Sequence, residues 1–172
     1  MKILPILIHP DPRLKKLCSP IEAVDEDARA LGNAMLATMY DAPGVGLAAP
    51  QVGQLKRLFV MDCVDKEDDP SPMVLINPSV IWASEEETTH EEGCLSIPGM
   101  YEDITRPAEV KVAFWDLQGK ECEEHFTGLW SRCAQHEIDH LEGVLFIDYL
   151  SRMKRSMITK KMQKLKKERA SA

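Results

Sequence analysis

The sequence has no CxxC pair. Its five cysteines stand singly at Cys18, Cys63, Cys94, Cys122 and Cys133. An odd number of isolated thiols argues against a disulfide framework and for a reducing compartment. No apolar run approaches the roughly 20 residues that span a bilayer, so no membrane contact is expected. The opening residues 1–10 are apolar but too short and too Pro-broken for a signal peptide, and the expectation is a cytoplasmic protein. There is no internal repeat or low-complexity block, which excludes solenoid and fibrous architectures. What is present is ordinary for a soluble globular protein: 44% hydrophobic and 28% charged residues in a chain of 172, enough for one domain with a real core.

The net charge of −7 hides an asymmetry. Residues 151–172 hold nine basic residues and one acid, Glu168, so this segment is +8 and the first 150 positions carry −15. The two parts should seek different partners.

Periodicity predicts a short helix over 13–18 and an amphipathic helix over 25–40, with Ala28, Leu31, Met35, Leu36 and Met39 on its apolar side and Asp25 as a candidate cap. Strand patterns follow at 57–64, 73–76 and 79–83. Segments 105–115 and 120–127 read as a hairpin around Gln118-Gly119. A helix follows them, and another covers 151–169. Strands first, then an enclosed helix, imply an α+β fold rather than alternating βαβ units. The expected architecture is antiparallel sheets packed around a central metal-binding helix, with an N-terminal helix and a C-terminal helix. Residues 1–150 and the basic helix and tail at 151–172 are expected to form one single domain, with the catalytic part within 1–150 on the strength of the motifs that follow.

The chemistry is concentrated in His136-Glu137-Ile138-Asp139-His140. On a helix, residues four apart share a face, so both imidazoles can reach one metal ion, with Glu137 beside them to move protons. Leu129, Cys133, His136 and His140 form one stripe, and Gly143 offers a stop. A catalytic metal site needs a third protein ligand and an open position. No histidine follows His140, Phe146 stands where one protease pattern wants its third histidine, and the later acids are only Glu142, Asp148 and Glu168. Upstream, Cys94 in Glu91-Glu92-Gly93-Cys94-Leu95-Ser96 is a candidate, with an accessible thiol beside glycine. Spacing leaves Cys94 and Cys133 both open. A cysteine from another segment closes the site without crowding the histidines, which would leave Cys133 to line a pocket.

Three segments, Gly44-Val45-Gly46-Leu47-Ala48-Ala49-Pro50-Gln51-Val52, Glu92-Gly93-Cys94-Leu95-Ser96 and Gln135-His136-Glu137-Ile138-Asp139-His140, resemble the three motifs of peptide deformylases in order and approximate spacing. The resemblance extends from His9 to Asp148. It implies a metal-dependent hydrolase that removes the N-formyl group from the initiator methionine of new proteins, acting on N-formyl-methionyl peptides and nascent chains. It implies Cys94, His136 and His140 as ligands of one divalent ion, typically Fe(II) and often zinc, nickel or cobalt after handling, with water in the fourth position. Glu137 would be general base and then general acid, and the side-chain amide of Gln51 and the backbone N–H of Leu95 would meet the oxyanion. Val45, Leu129 and Cys133 match pocket positions. The main chains of Gly46 and Gly93 would pair with an extended peptide. Arg132 departs from the family pattern, often apolar there, and is expected to lay its stem along the pocket with its head in water. Asp139 is a candidate support for the site, with Arg106 as its partner. Arg152, Arg155, Lys160, Lys164 and Lys167 spread a basic surface, and the resemblance implies ribosome contact through this helix.

Two rivals stand beside this reading. One is an endopeptidase of the His-Glu-x-x-His class. The other is a non-catalytic ribosome-binding protein with a structural metal, although closed structural sites usually have four protein ligands.

Overall fold

Asp25 starts the first long helix: its Oδ1 accepts the backbone N–H of Ala28 at 2.9 Å, as a helix cap requires. The computed structural model describes residues 2–172. In chain order the main elements are α1 (Glu26–Asp41), β1 (Gly46–Ala48), β2 (Leu58–Met61), β3 (Met73–Ala83), β4 (Glu87–Cys94), β5 (Ile97–Pro107), β6 (Val110–Trp115), β7 (Glu121–Phe126), α2 (Gly128–Leu141) and α3 (Arg152–Ser171). Short 3₁₀ turns cover Pro12–Lys15, Ala49–Val52 and Phe146–Tyr149. No helix is long and apolar enough to cross a membrane among the described residues.

Five strands form one antiparallel sheet in the order β1-β2-β3-β6-β7, so β1 is an edge strand. β2, Leu58-Phe59-Val60-Met61, is buried at every position. Its lack of alternation follows from having both faces covered. Leu58 and Val60 meet Met35 and Met39 of α1, while Phe59 and Met61 meet Cys133, Ala134, Ile138 and Leu141 of α2. Helix α2 is thus central, with its apolar face on the sheet.

The α+β architecture expected from the sequence is observed, with differences in detail: β2 covers only Leu58–Met61 of the segment 57–64, and β4 is a strand the pattern does not announce. The two segments 73–76 and 79–83 are one bent strand. Its ladder with β6 shifts register between Ile76 and Ser79, where Asn77 adopts φ +50°. The Asn77 side chain occupies both backbone groups of Ile21, accepting from its N–H at 2.8 Å and donating to its carbonyl at 2.7 Å. The segment 13–18 shortens to a 3₁₀ turn. The segment 105–115 is not one strand. Residues up to Pro107 belong to β5, which pairs with β4 in a separate two-stranded sheet. Pro107 ends that ladder, and β6 starts three residues later to pair with β7.

Helix α2 stops where the sequence suggests. Gly143 follows at φ +74°, and a Cβ there would lie 2.6 Å from the carbonyl oxygen of Lys15. Only glycine combines that backbone conformation with that approach. The chain then leads through Phe146–Tyr149 to α3. Ser151 caps that helix through Lys154 N–H at 3.2 Å, and Ile158 and Met162 bury themselves against Leu14, Ile97, Ile104 and Phe146.

Candidate metal centre and its groove

Cys133, His136, Glu137 and His140 are all buried on α2, whereas Leu129, at the start of the same stripe, is 52% exposed at the groove mouth. The hairpin β4–β5 lies across this face and brings Cys94, at the end of β4, to the histidines. One ligand atom from each of Cys94, His136 and His140 lies within 4.8 Å of the others. Cys94 Sγ is 3.4 Å from Nε2 of His140. Of the two cysteines that spacing left open, Cys94 joins the cluster. Cys133 instead points its thiol at the carbonyl of Val45, 3.7 Å away. A thiol and two imidazoles this close, with no fourth protein ligand in the cluster among the described residues, form a donor set suited to a divalent transition metal.

The charges of these buried groups act strongly on one another. Burial alone would pull His136 down, but the neighbouring Glu137, Cys94 and Glu92 outweigh it and raise its pKa well above the ordinary histidine value. Burial lowers His140, and the charges of His136 and Arg106 lower it further. Burial pushes the Glu137 carboxyl up to about 7, with Glu92 and Asp139 adding to the rise against the opposing pull of His136 and Arg106. Glu137 Oε1 is buried with no hydrogen-bond partner. A carboxyl poised near neutrality and not engaged elsewhere can both take and give a proton.

Gln51 sits in the Ala49–Val52 turn at 1% exposure. Its Oε1 accepts the N–H of Ala48 at 2.9 Å, while Nε2 donates to Ser96 Oγ at 3.0 Å and points at Cys94 Sγ, 3.4 Å away. One end of the amide secures the turn and the other faces the metal cluster. Leu95 follows Cys94 in the turn of the hairpin and lines the same groove.

That groove has a volume of about 760 Å³ and is lined by Val45, Gly46, Gly93, Leu129 and Cys133 among others. Gly46 lies on edge strand β1, directly against the site. A Cβ on it would come within 2.6 Å of both Cys133 Sγ and Glu137 Oε2. Val45 is 45% exposed and its carbonyl accepts from Asp62 N–H at 2.9 Å.

Two residues correct or extend the sequence reading. Arg132 does line the groove, but its head is not in water. It is buried, with Nη1 donating to Glu92 Oε2 at 2.6 Å and to Ile104 O at 2.9 Å, and Nη2 donating to Thr88 O at 2.8 Å. The partner that holds it, Glu92, lies 40 positions away and was not singled out by sequence. Glu92 is the hub of the site's surroundings: it also accepts from Nδ1 of His136 at 3.0 Å and from Nε and Nη2 of Arg106 at 2.6 and 2.9 Å. Burial opposes its charge, but the hydrogen bonds from His136 and Arg106 prevail and hold its carboxyl at about 2. The signal available in the sequence was its place two residues before Cys94. The pairing of Arg106 with Asp139 is present at 2.9 Å, and Tyr149 OH donates to the same Asp139 oxygen at 2.7 Å.

Comparison with known proteins gives a consistent result. The family described as polypeptide deformylase matches residues 3–156. A peptide deformylase of Mesorhizobium japonicum is 49% identical over 170 residues, covering 99% of this chain and 97% of that one. A peptide deformylase of Bradyrhizobium diazoefficiens is 51% identical over 171 residues, covering 97% and 98%. The crystal structure of peptide deformylase from Ehrlichia chaffeensis superposes with a TM-score of 0.92 at 40% identity, covering 99% of both chains. A second structure from that organism, in complex with actinonin, gives the same TM-score and identity over 95% of this chain and 98% of that one.

Proposed function

The chain belongs to the polypeptide deformylase family, and on that premise we propose that it hydrolyses the N-formyl group from the initiator methionine of newly made proteins, releasing formate. The observation that carries this reading is the convergence of Cys94, His136 and His140 within 4.8 Å of one another, beside the buried and unpartnered carboxyl of Glu137.

Cys94, His136 and His140 would hold one divalent ion, Fe(II) natively with zinc, nickel or cobalt as substitutes, because a thiolate with two imidazoles suits several first-row metals. When bound, such an ion supplies Lewis acidity toward water and toward the formyl oxygen. Glu137 handles the proton. It takes one from the attacking water and delivers it to the amine that leaves, so that a formamide and water become an amine and formate. As the formyl carbon turns tetrahedral its oxygen gains negative charge. The amide of Gln51 and the N–H of Leu95 would meet that charge, each worth roughly 3 kcal/mol to the transition state.

The edge strand β1 supports binding of an extended peptide. Gly46 on β1 and Gly93 on β4 would lend main-chain groups to it, in the manner of strand addition. Val45, Leu129 and Cys133 would wall the slot for the methionine side chain. Toward the peptide itself Arg132 would offer only groove wall, since its guanidinium is engaged behind it. The complex of the Ehrlichia relative with actinonin supports a ligand-binding groove in this family. Nascent chains in the cytoplasm are the proposed partners. The exposed basic face of α3 is the proposed contact with the ribosome.

Anaerobic purification with metal analysis, followed by a formate-release assay on formyl-Met-Ala-Ser, tests the reading. Bound divalent metal and formate release are expected. Cys94→Ser should lose both, and Glu137→Ala should keep the metal and lose turnover. A fully active Cys94→Ser enzyme, or cleavage of internal peptide bonds without formate, overturns it.

A further inference from the structure

The β4–β5 hairpin is a sheet of its own and shares no ladder with the five-stranded sheet. No ladder fixes where it stands relative to α2; its turn is held by the His9 N–H on the carbonyl of Ser96 at 2.9 Å and by the Gln51 amide on Ser96 Oγ at 3.0 Å, and its strands by side chains reaching over from α2, among them His136 Nδ1 on Glu92 at 3.0 Å. This matters at the site, because His136 and His140 belong to α2 and Cys94 ends β4. A metal site works only when its donors are held to about 0.5 Å.

Arg132 makes the broadest connection across this gap. From α2 its Nη1 donates to Glu92 Oε2 at 2.6 Å and to the carbonyl of Ile104 at 2.9 Å, and its Nη2 donates to the carbonyl and hydroxyl of Thr88 at 2.8 and 3.1 Å. Thr88 and Glu92 are on β4 and Ile104 is on β5, so one planar fork grips both strands. Two of the four acceptors are backbone carbonyls, which cannot rotate away as a carboxylate can. Arg106 does not duplicate this grip. It sits on β5, its bonds to Glu92 lie within the hairpin, and only its Nη1 reaches α2, at Asp139. Gln135 holds a further point, the carbonyl of Pro107 at 2.9 Å, where the hairpin opens away from Cys94.

We propose that Arg132 is a positioning residue for the metal site: by gripping both strands of the hairpin from α2, it sets where the Cys94 thiol stands relative to the two histidines. The inference rests on the ligand set proposed above. It gives the buried arginine a task besides balancing Glu92, which Arg106 already pairs.

Cobalt(II) binding tests it, read by competition with a chelator and by the sulfur-to-cobalt absorption, in the wild type, Arg132→Met, Arg132→Lys and Cys94→Ser. Hydrogen exchange of the amides at 93–97 in the metal-free proteins gives a reading that needs no metal. Arg132→Met should bind cobalt about 10- to 100-fold more weakly, the range typical when an outer partner of a metal site is lost. Its sulfur absorption should fade toward that of Cys94→Ser, and the hairpin amides should exchange faster. Arg132→Lys keeps a positive charge near Glu92, but a single ammonium cannot satisfy Thr88 and Ile104 as well. It should fall between the two, and it decides the matter alone if Arg132→Met does not fold. A wild type without sulfur absorption removes the ligand set, and this inference with it. A wild type with that absorption, beside folded Arg132 variants of unchanged cobalt affinity and unchanged hairpin exchange, overturns the positioning role while leaving the ligand set intact. Reduced thermal stability alone, with both readings unchanged, overturns it equally.

Discussion

Oε1 of Glu92 accepts the Nδ1–H of His136 at 3.0 Å. With a metal held at Nε2, as proposed, this bond keeps the remaining proton on Nδ1 and fixes the ring; without one, Glu137 and Glu92 favour the doubly protonated ring. The same carboxylate balances Arg106 and Arg132, both buried. Glu92→Gln keeps the volume and removes the charge, leaving Arg132 without its counter-ion and Arg106 with Asp139 alone. Breaking a buried ion pair on one side costs about 3–5 kcal/mol. The variant should melt well below the wild type in thermal unfolding and bind metal more weakly in chelator competition. An unchanged melting temperature would show that the network does not carry this energy.

Glu137→Gln separates chemistry from structure. Oε1 makes no hydrogen bond and burial already disfavours the charged carboxylate, so the amide should fold without loss of stability. Its metal content should match the wild type. Turnover should fall by about 10²- to 10⁴-fold, the usual worth of a general acid–base group. The readings are kcat by formate release and metal by elemental analysis. Substantial retained turnover would assign the proton transfer to another group.

Gly46→Ala adds one methyl group against Cys133 Sγ and Glu137 Oε2, each 2.6 Å from the new Cβ. Both neighbours are buried, so one of them must move, and the groove they line is the direction open to them. Overpacking of this kind costs about 1–3 kcal/mol. The displaced carboxylate should also lower kcat/KM more than the loss of stability explains, as measured on protein shown to be folded at the assay temperature. Wild-type kcat/KM would mean the edge strand has slack there.

Helix α3 must be tested by charge and not by truncation. Ile158 and Met162 are buried against Phe146 and Ile104, so deletion of 151–172 should lower the melting temperature by opening that cluster. Lys160→Glu, Lys164→Glu and Lys167→Glu change only exposed positions. Together they should abolish salt-dependent binding to ribosomes and leave formate release from short peptides and thermal stability unaltered. Binding that survives the triple change, or that ignores salt, removes α3 from the contact.

The helices were legible because each carries its own local signal. Asp25 and Ser151 cap α1 and α3, and α2 has a hydrophobic stripe followed by a glycine that no other residue could replace. The hairpin was not. β4 is Glu87-Thr88-Thr89-His90-Glu91-Glu92-Gly93-Cys94, largely exposed, with no alternation to betray a strand. Its pairing with β5 depends on register and not on burial of one face. The setting of Arg132 was hidden for a related reason. Its acceptors lie 28 to 44 positions away, and nothing within a helical turn of it distinguishes a solvated guanidinium from an enclosed one. The histidine pair was plain from i, i+4 spacing. The thiol that joins them could be narrowed by spacing only to two cysteines, and the fold brings Cys94 and not Cys133 into the cluster.

β1 has only three residues and a neighbour on one side alone. A border offering amide and carbonyl groups reads the repeating skeleton that every polypeptide shares and is blind to the letters hung upon it. If the proposed peptide alignment holds, selectivity would reside in the first side chain and its cap, while everything downstream is accepted almost regardless of composition. One such protein could then process the whole variety of chains a cell translates. The brevity of the strand also limits how many unsatisfied groups are left open to unwanted self-association.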